Sequence, residues 1–416
     1  MVKKVMTVPL LALVLLASAG PSSLAQEEAA SGGQAELERR IRQLEDAHEE
    51  LLDDFEELEV RSISGPAAGG PSLFNPRITV FGNMVGRVDD KDVFNEDGDP
   101  IDDRFNLREV EIDLRAAIDP WADGVMIIAV ESEVPEEFDT AIEEGYLLLK
   151  RLPVIDSAPF GLKLKAGRFR AAFGRWNAIH THDMPQTTRP LSLRTVLGEE
   201  GFVDNGLSAA LALPTPGEAN SLDLTLEALG GGNLPVAPGN AGEDPALLGH
   251  LKWFWDLAPG HDLEIGASGY GGRSDAAGTL DARLYGADIT YKWKPFGGGE
   301  WRSFLVGGEL FYADLERSGF SSGSPLGGYL WSQLQFSKSL YLGVRADLAQ
   351  ELDDDSLETS AFGVFASYYT TEFLRFRLGY ERFESDVAAR DGLDTILFEI
   401  NFVFGSHPVE PYWVNR

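Results

Sequence analysis

The chain has 416 residues, a formal net charge of −32 and no cysteine. The absence of cysteine excludes disulfides, thiolate metal sites and a lipidated N-terminal cysteine. The acidity argues against a nucleic-acid partner, because phosphate backbones are bound by surfaces rich in Lys and Arg. Strong acidity is typical either of a well-solvated protein or of a surface that divalent cations bridge.

The N-terminus has the features of a secretory signal peptide. Lys3 and Lys4 precede an apolar run at 9–17, and a small-x-small cleavage site ends at Ala25. No later segment offers the ~20 uninterrupted apolar residues that a spanning helix needs. We therefore predict a signal peptide over 1–25. The secreted chain is then either soluble in the periplasm or a barrel in the outer membrane of a Gram-negative-type bacterium.

A heptad seam follows a flexible leader at 26–34. Its positions alternate spacings of four and three residues, which predicts a self-associating periplasmic coiled coil over 35–61. The seam residues are Leu37, Ile41, Leu44, His48, Leu51, Phe55 and Leu58. His48 is interpreted as a device that sets register or oligomeric state, with ligand binding as the alternative. A linker rich in Gly and Pro follows at 62–76.

Apolar and polar residues alternate repeatedly from residue 77 to residue 404, as they do in strands with one greasy and one wet face. In the last such segment, Glu399 and Asn401 lie between five large apolar residues. Those five are Ile396, Phe398, Ile400, Phe402 and Phe404. The pattern predicts sixteen strands, at 77–88, 107–119, 124–132, 142–151, 161–169, 203–213, 221–229, 248–257, 261–271, 282–293, 302–314, 327–337, 340–350, 359–370, 373–384 and 393–404.

The connections between these strands alternate in length. Short ones at 120–123, 258–260 and 371–372 alternate with longer acidic ones such as 89–106 and 230–247. Short periplasmic turns, long outer loops and an even strand count are typical of outer-membrane barrels. We predict an all-β transmembrane fold, a sixteen-stranded antiparallel barrel over 77–404 that is followed by a C-terminal tail at 405–416.

Charged residues alternate with the apolar faces and predict the lining of a pore. A packed core would not bury them unpaired without a cost of several kcal/mol each, whereas a water-filled lumen hydrates them. The predicted lining residues are Glu111, Asp113, Arg115, Lys163, Lys165, Arg375 and Arg377.

The longest connection, 170–202, is the third of the outer loops, and it is similar in this respect to the constriction loop of trimeric porins. Five arginines lie in or beside it, namely Arg168, Arg170, Arg175, Arg189 and Arg194. Rings of charge set the selectivity of pores, so we expect a positive constriction inside an acidic frame. The alternative is that these arginines pair with Glu199, Glu200 and lumen acids and hold the loop down.

The same loop contains His180, His182 and Asp183, a set that could hold a divalent metal. The alternative is that the histidines form structural hydrogen bonds or line the pore. No Ser-His-Asp order or nucleophile elbow stands out in the sequence. We therefore expect a protein that is not an enzyme and has no cofactor.

The chain resembles the phosphate-selective porin (porins O and P) family. The similarity is carried by residues 165–174 (KAGRFRAAFG), 180–183 (HTHD), 189–191 (RPL) and 198–201 (GEEG). It implies a signal peptide, a short coiled-coil arm, a sixteen-stranded trimeric barrel and a third loop that folds inward. The sequence departs from the family in two respects. It has only part of the arginine and lysine ladder of phosphate-specific members, and 405–416 extends beyond Phe404.

Together these features predict a homotrimeric porin for passive diffusion of small ions or hydrophilic solutes. Its partners would be outer-membrane lipid, other copies of the chain and, through the coiled coil, peptidoglycan. Two alternatives stay open. One is a structural tether between the outer membrane and the cell wall, and the other is a channel for metal uptake, such as zinc.

Overall fold

The structure is a computed structural model that describes residues 76–94, 100–101, 104–132, 138–152, 159–215, 217, 219–234, 236, 245–275, 278–295, 301–316, 323–388, 390–406 and 411–414. The predicted signal peptide, leader and coiled-coil seam, and nearly all of the linker, lie outside these residues. Within them, no helix is both long and apolar enough to cross a membrane.

Sixteen strands close into an antiparallel barrel, and two further strands form a small hairpin. The strands are β1 (Arg77–Asp89), β2 (Val93–Phe94), β3 (Pro100–Ile101), β4 (Arg104–Ala117), β5 (Ala122–Glu131), β6 (Asp139–Leu149), β7 (Lys163–Arg170), β8 (Val203–Leu213), β9 (Asn220–Leu229), β10 (Ala246–Ala258), β11 (His261–Arg273), β12 (Asp281–Trp293), β13 (Ser303–Leu315), β14 (Leu326–Gln335), β15 (Leu340–Gln350), β16 (Glu358–Thr371), β17 (Leu374–Ser385) and β18 (Leu393–Gly405).

Each barrel strand pairs with its neighbours in sequence, and β1 closes the ring by pairing with β18. The hairpin β2–β3 lies in the connection between β1 and β4 and stays outside the ring. All sixteen predicted strands are confirmed, with ends that shift by a few residues. We call the end where β1 begins and β18 ends the lower rim, and the opposite end the upper rim.

The alternation of β18 has the predicted outcome. Ile396 is 52% exposed and Phe398 is 38% exposed, whereas Thr395, Leu397 and Glu399 are buried. The apolar side chains therefore form the outer surface of the barrel, and the polar side chains point into the lumen. An apolar outer surface of this kind would be exposed to water in a soluble protein, whereas the hydrocarbon of a membrane would cover it.

Strand β5 does not alternate in this way and is apolar on both faces. Ile127 pairs with Asp113 across the ladder, so both side chains point to the same, inner side. Val125, Ile127 and Ala129 are buried there. Their inner face is covered because the lumen is filled, and the outer face of the same strand keeps the usual apolar character.

The segment 171–202 folds into the barrel. It contains a 3₁₀ turn at Thr181–Asp183 and one helix, α1 (Leu191–Leu197), which ends at Gly198 with φ of 98°. This left-handed conformation favours glycine after the last helical turn. The protein's main hydrophobic cluster lies inside the lumen, where loop residues such as Phe173, Trp176 and Leu193 pack among side chains of the inner wall.

The outer surface makes a testable prediction. Leu378→Arg places a charge near the middle of β17 on a side chain that is 57% exposed, while Phe404→Arg does so beside the lower rim. In lipid vesicles we expect the first change to cost about 2–4 kcal/mol of unfolding free energy and the second about 0–1 kcal/mol, because the cost falls towards the interface. Equal losses in urea titrations would contradict the proposed position of the membrane.

Candidate functional site

Four arginines of the inner wall donate hydrogen bonds to the main-chain carbonyls of the loop segment 182–188. The pairs are Arg375 to His182 O at 2.5 Å, Arg377 to Met184 O at 2.6 Å, Arg108 to Thr187 O at 2.7 Å and Arg345 to Thr188 O at 2.7 Å. After the 3₁₀ turn this segment continues in bends without regular secondary structure, so the wall supplies donors that a helix or sheet would otherwise provide.

Wall carboxylates do the reverse and accept hydrogen bonds from loop amides. The pairs are Glu227 with Ala172 N at 2.9 Å, Glu309 with Trp176 N at 2.8 Å and Asp347 with Leu191 N at 2.9 Å. Gly174 approaches Glu309 so closely that a Cβ added there would overlap the carboxylate, and its φ is 64°. The wall therefore provides hydrogen-bond partners for both the carbonyls and the amides of the loop's main chain.

The five arginines predicted to form the constriction are separated in the structure. Arg170 is buried, and its Nη2 lies 2.6 Å from Glu143 Oε2. Arg189 is also buried and donates to Ile179 O at 2.6 Å. Burial, together with the charge of Arg170, lowers the pKa of Arg189 to about 10.

The other three arginines lie elsewhere. Arg175 forms an ion pair with Glu264 and sits 4.0 Å above the ring centre of Tyr412. Arg194 lies on α1 and pairs with Glu199 at 3.2 Å. Arg168 donates to the carbonyl of Ile142 at 2.8 Å in an exposed position. Each arginine therefore has a local partner, and the five do not form one ring.

Most of the predicted lining residues also have partners. Arg115 pairs with Asp113 at 2.8 Å, and Lys165 lies 4.5 Å above the ring centre of Tyr146. Lys163 is exposed near the lower rim. Arg375 and Arg377 share Glu399, at 2.7 and 2.6 Å, and all three side chains are buried. Glu111 is buried beside the histidines of the loop.

His180 and His182 face a group of wall carboxylates. His180 Nδ1 lies 2.8 Å from Glu111 Oε2, and His182 Nδ1 lies 3.7 Å from the same oxygen. Glu111, His180 and His182 each offer one ligand atom, and these three atoms lie within 4.8 Å of one another. Asp183 was predicted as a third ligand, but the structure leaves it outside this group, with its carboxylate 3.7 Å from His182 Nε2.

This environment changes the acidity of the loop's titratable groups. Burial lowers the pKa of His182, but the carboxylates of Glu111 and Glu109 outweigh burial and raise it to about 9. For His180, burial and Arg170 oppose protonation, but Glu111 and Glu143 raise its pKa well above the ordinary value. Burial raises the pKa of Glu200. The wall carboxylates therefore favour the protonated form of both imidazoles.

The tail reaches back into the lumen, which the sequence did not suggest. Trp413 is buried and its ring centre lies 6.5 Å from that of Trp176. Trp176 Nε1 donates to the Tyr412 hydroxyl at 3.2 Å. From the wall, Lys292 donates to Tyr412 O at 2.9 Å, and Gln333 donates to Trp413 O at 3.0 Å.

Several functional residues were missed from sequence. Glu109 and Arg345 share the inward parity of neighbouring strand residues, so the alternation could have identified both. Glu143 and Glu144 could not have been found in this way. A register shift in the β5–β6 pairing makes both of them buried, although adjacent strand residues normally face opposite sides.

No family model matches the chain. A protein described as uncharacterized, from Aquifex aeolicus (strain VF5), is 28% identical over an alignment 352 residues long, and the alignment covers 74% of this chain and 70% of that protein.

Three solved structures are similar to the barrel. An anion-selective porin from Comamonas acidovorans has a TM-score of 0.52 at 9% identity and covers 79% of this chain and 100% of its own. OmpF of Salmonella typhi in complex with daunomycin has a TM-score of 0.51 at 13% identity, and the match covers 79% of this chain and 98% of that protein. The outer-membrane channel DcaP of Acinetobacter baumannii has a TM-score of 0.50 at 12% identity, and the match covers 82% of this chain and 100% of that protein. The chain therefore has the fold of sixteen-stranded outer-membrane porins.

The wall arginines generate a second prediction. Arg377 is fully buried between Glu399 and the Met184 carbonyl, so Arg377→Ala leaves both acceptors short of a donor. We expect a loss of about 3–5 kcal/mol in unfolding free energy, with faster proteolysis within 182–188. The matched control is Arg115→Ala at a side chain that is 56% exposed, where we expect a change within about 1 kcal/mol. Similar losses in both variants would show that Arg377 does not anchor the loop.

Proposed function

We propose that the protein is an outer-membrane porin, a passive and non-enzymatic channel for small ions or hydrophilic solutes. The observation that carries this proposal is a closed sixteen-stranded barrel with an apolar outside, a charged inside and a loop folded across its lumen. A soluble barrel gains nothing from an outer surface of this kind, and a lumen dense with ionisable groups is how pores discriminate between solutes.

The charge balance of the lumen favours cations. The arginines of the loop and wall are paired with Glu143, Glu264, Glu381 and Glu399, which supports the view that they fasten the loop. Glu227 and Glu309 accept hydrogen bonds from loop amides, but neither they nor Asp288 form an ion pair with another described residue. We therefore propose that the remaining acids set the selectivity, and that this chain differs in this respect from the phosphate-selective family it resembles.

This charge balance leads to a third prediction. In planar bilayers under a salt gradient, the reversal potential should have the sign of a cation-selective channel. Asp288→Asn should reduce that potential, since this buried carboxylate faces the lumen and its Oδ2 has no hydrogen-bond partner in the described part of the chain. Glu384→Gln on the exposed part of β17 serves as the control and should leave the potential unchanged. An anion-selective potential would support the positive constriction instead.

The tail suggests a fourth prediction. Tyr412 and Trp413 occupy lumen space beside Trp176, so the double variant Tyr412→Ala/Trp413→Ala should have a larger single-channel conductance than the parent. Trp121→Ala, in the exposed turn between β4 and β5, is the matched control. Unchanged conductance would show that the tail lies out of the ion path. Folded protein that conducts in neither form would end the channel proposal and favour the tether.

We further propose a homotrimer whose residues 35–61 form a periplasmic stalk, with peptidoglycan as a partner. The support is the heptad seam in the sequence. A single helix of this length is marginal in water, so association along the seam would stabilise it.

A further inference from the structure

We propose that Glu111, His180 and His182 bind a divalent transition-metal ion, of which Zn²⁺ is the best match, between the barrel wall and the loop. The site joins β4 to the loop segment that the wall arginines hold. It does not depend on conduction through the barrel, so it stands or falls separately from the channel function. The ligand set combines two imidazoles with a carboxylate, which suits zinc better than magnesium or calcium.

The donor atoms already converge on one point. Glu111 Oε2 lies 2.8 Å from His180 Nδ1 and 3.7 Å from His182 Nδ1, and Glu143 Oε2 lies 2.9 Å from His180 Nδ1. Zinc holds nitrogen and oxygen ligands at about 2.0–2.2 Å, so two ligands are at most about 4.4 Å apart. The three residues, within 4.8 Å of one another, therefore need only a small contraction. Glu109, Glu111 and Glu143 form an overlapping group that offers the fourth ligand.

The far nitrogens of both histidines also face carboxylates. His180 Nε2 lies 3.1 Å from Glu144 Oε1, and His182 Nε2 lies 3.7 Å from Asp183 Oδ2. A histidine that ligates a metal through one nitrogen commonly donates its other N–H to a carboxylate, which orients the ring and increases its basicity. Asp183 thus has a place in the site as an orienting residue instead of as a ligand.

Charge and burial call for a cation at this point. Glu109, Glu111 and Glu143 are all buried, and Arg170 is the cation that contacts the group directly, 3.3 Å from His180 Nδ1 and paired with Glu143. Glu111 is 2% exposed, and its Oε2 contacts the imidazole nitrogens of His180 and His182 at 2.8 and 3.7 Å. Buried carboxylates of this kind are costly unless a charge compensates them. A divalent ion, or protons on both histidines, would do so.

Zinc binding by the folded, full-length protein tests whether a metal ion or protons on the histidines compensate these carboxylates. Protein stripped with EDTA is titrated with Zn²⁺ against a chromophoric chelator, and bound zinc is counted by elemental analysis. We expect one ion per chain, an affinity loss greater than 100-fold in Glu111→Gln, and a loss of about 10–100-fold in Asp183→Asn. His261→Gln is the matched control, because its Nδ1 contacts the Tyr291 hydroxyl near the lower rim, and it should bind like the parent.

Folding of each variant is checked by the change in gel mobility on heating. X-ray absorption of the zinc-loaded parent provides a measurement that needs no variant, and we expect two imidazole nitrogens with the remaining ligands oxygen. Parent protein that takes up no stoichiometric zinc would overturn the proposal and leave protonated histidines as the compensating charge. Parent-like affinity in folded Glu111→Gln would also overturn it, because the ion would then be bound elsewhere.

Discussion

The structure depends on satisfying the main chain of a long loop inside a barrel. The segment 171–202 brings its amides and carbonyls into the lumen with little secondary structure to pair them, and unpaired buried groups are costly. The wall meets this demand with charges, since Arg375 and Arg377 bind carbonyls while Glu309 and Asp347 bind amides. Hydrogen bonds to charged partners are stronger than neutral ones, so a few side chains suffice to hold the loop.

This arrangement changes how the charged residues of the lumen are interpreted. A residue that points inward in a barrel is usually expected to meet permeating solute, but Arg375, Arg377 and Glu399 are buried in contact with one another and with the loop. Glu399 compensates one of the two positive charges in this triad. In the proposed channel, acids without ion pairs among the described residues, such as Asp288 and Glu309, would be the ones that act on a passing ion. The tail adds Trp413 to the same interior, so loop and tail together reduce the open cross-section.

The grouping of His180 and His182 with Glu111 shows a similar dependence on tertiary structure. The two histidines come from one turn of the loop, and Glu111 comes from a strand about seventy residues earlier. Glu143 and Glu144 join them because a register shift turns two consecutive side chains to the inside of the barrel. A bulge of this type leaves no simple mark in the sequence. Asp183 was predicted as the third ligand because it is adjacent to the histidines in sequence, whereas Glu111 comes close to them only in the closed barrel.

The sequence by itself determined the barrel. Alternation with a period of two decides which face of each strand meets lipid and predicted the strand count, as β18 illustrates. The alternating lengths of the connections, such as the short turn before β17, indicated an outer-membrane barrel. The sequence also identified the loop at 170–202 and the residues within it. Only the tertiary structure decided their roles, because pairing between Arg377 and Glu399, or between Tyr412 and Trp176, joins parts of the chain that no local pattern connects. Local periodicity encodes the face of a strand, whereas the partner of a buried charge depends on where the closed barrel places every other residue.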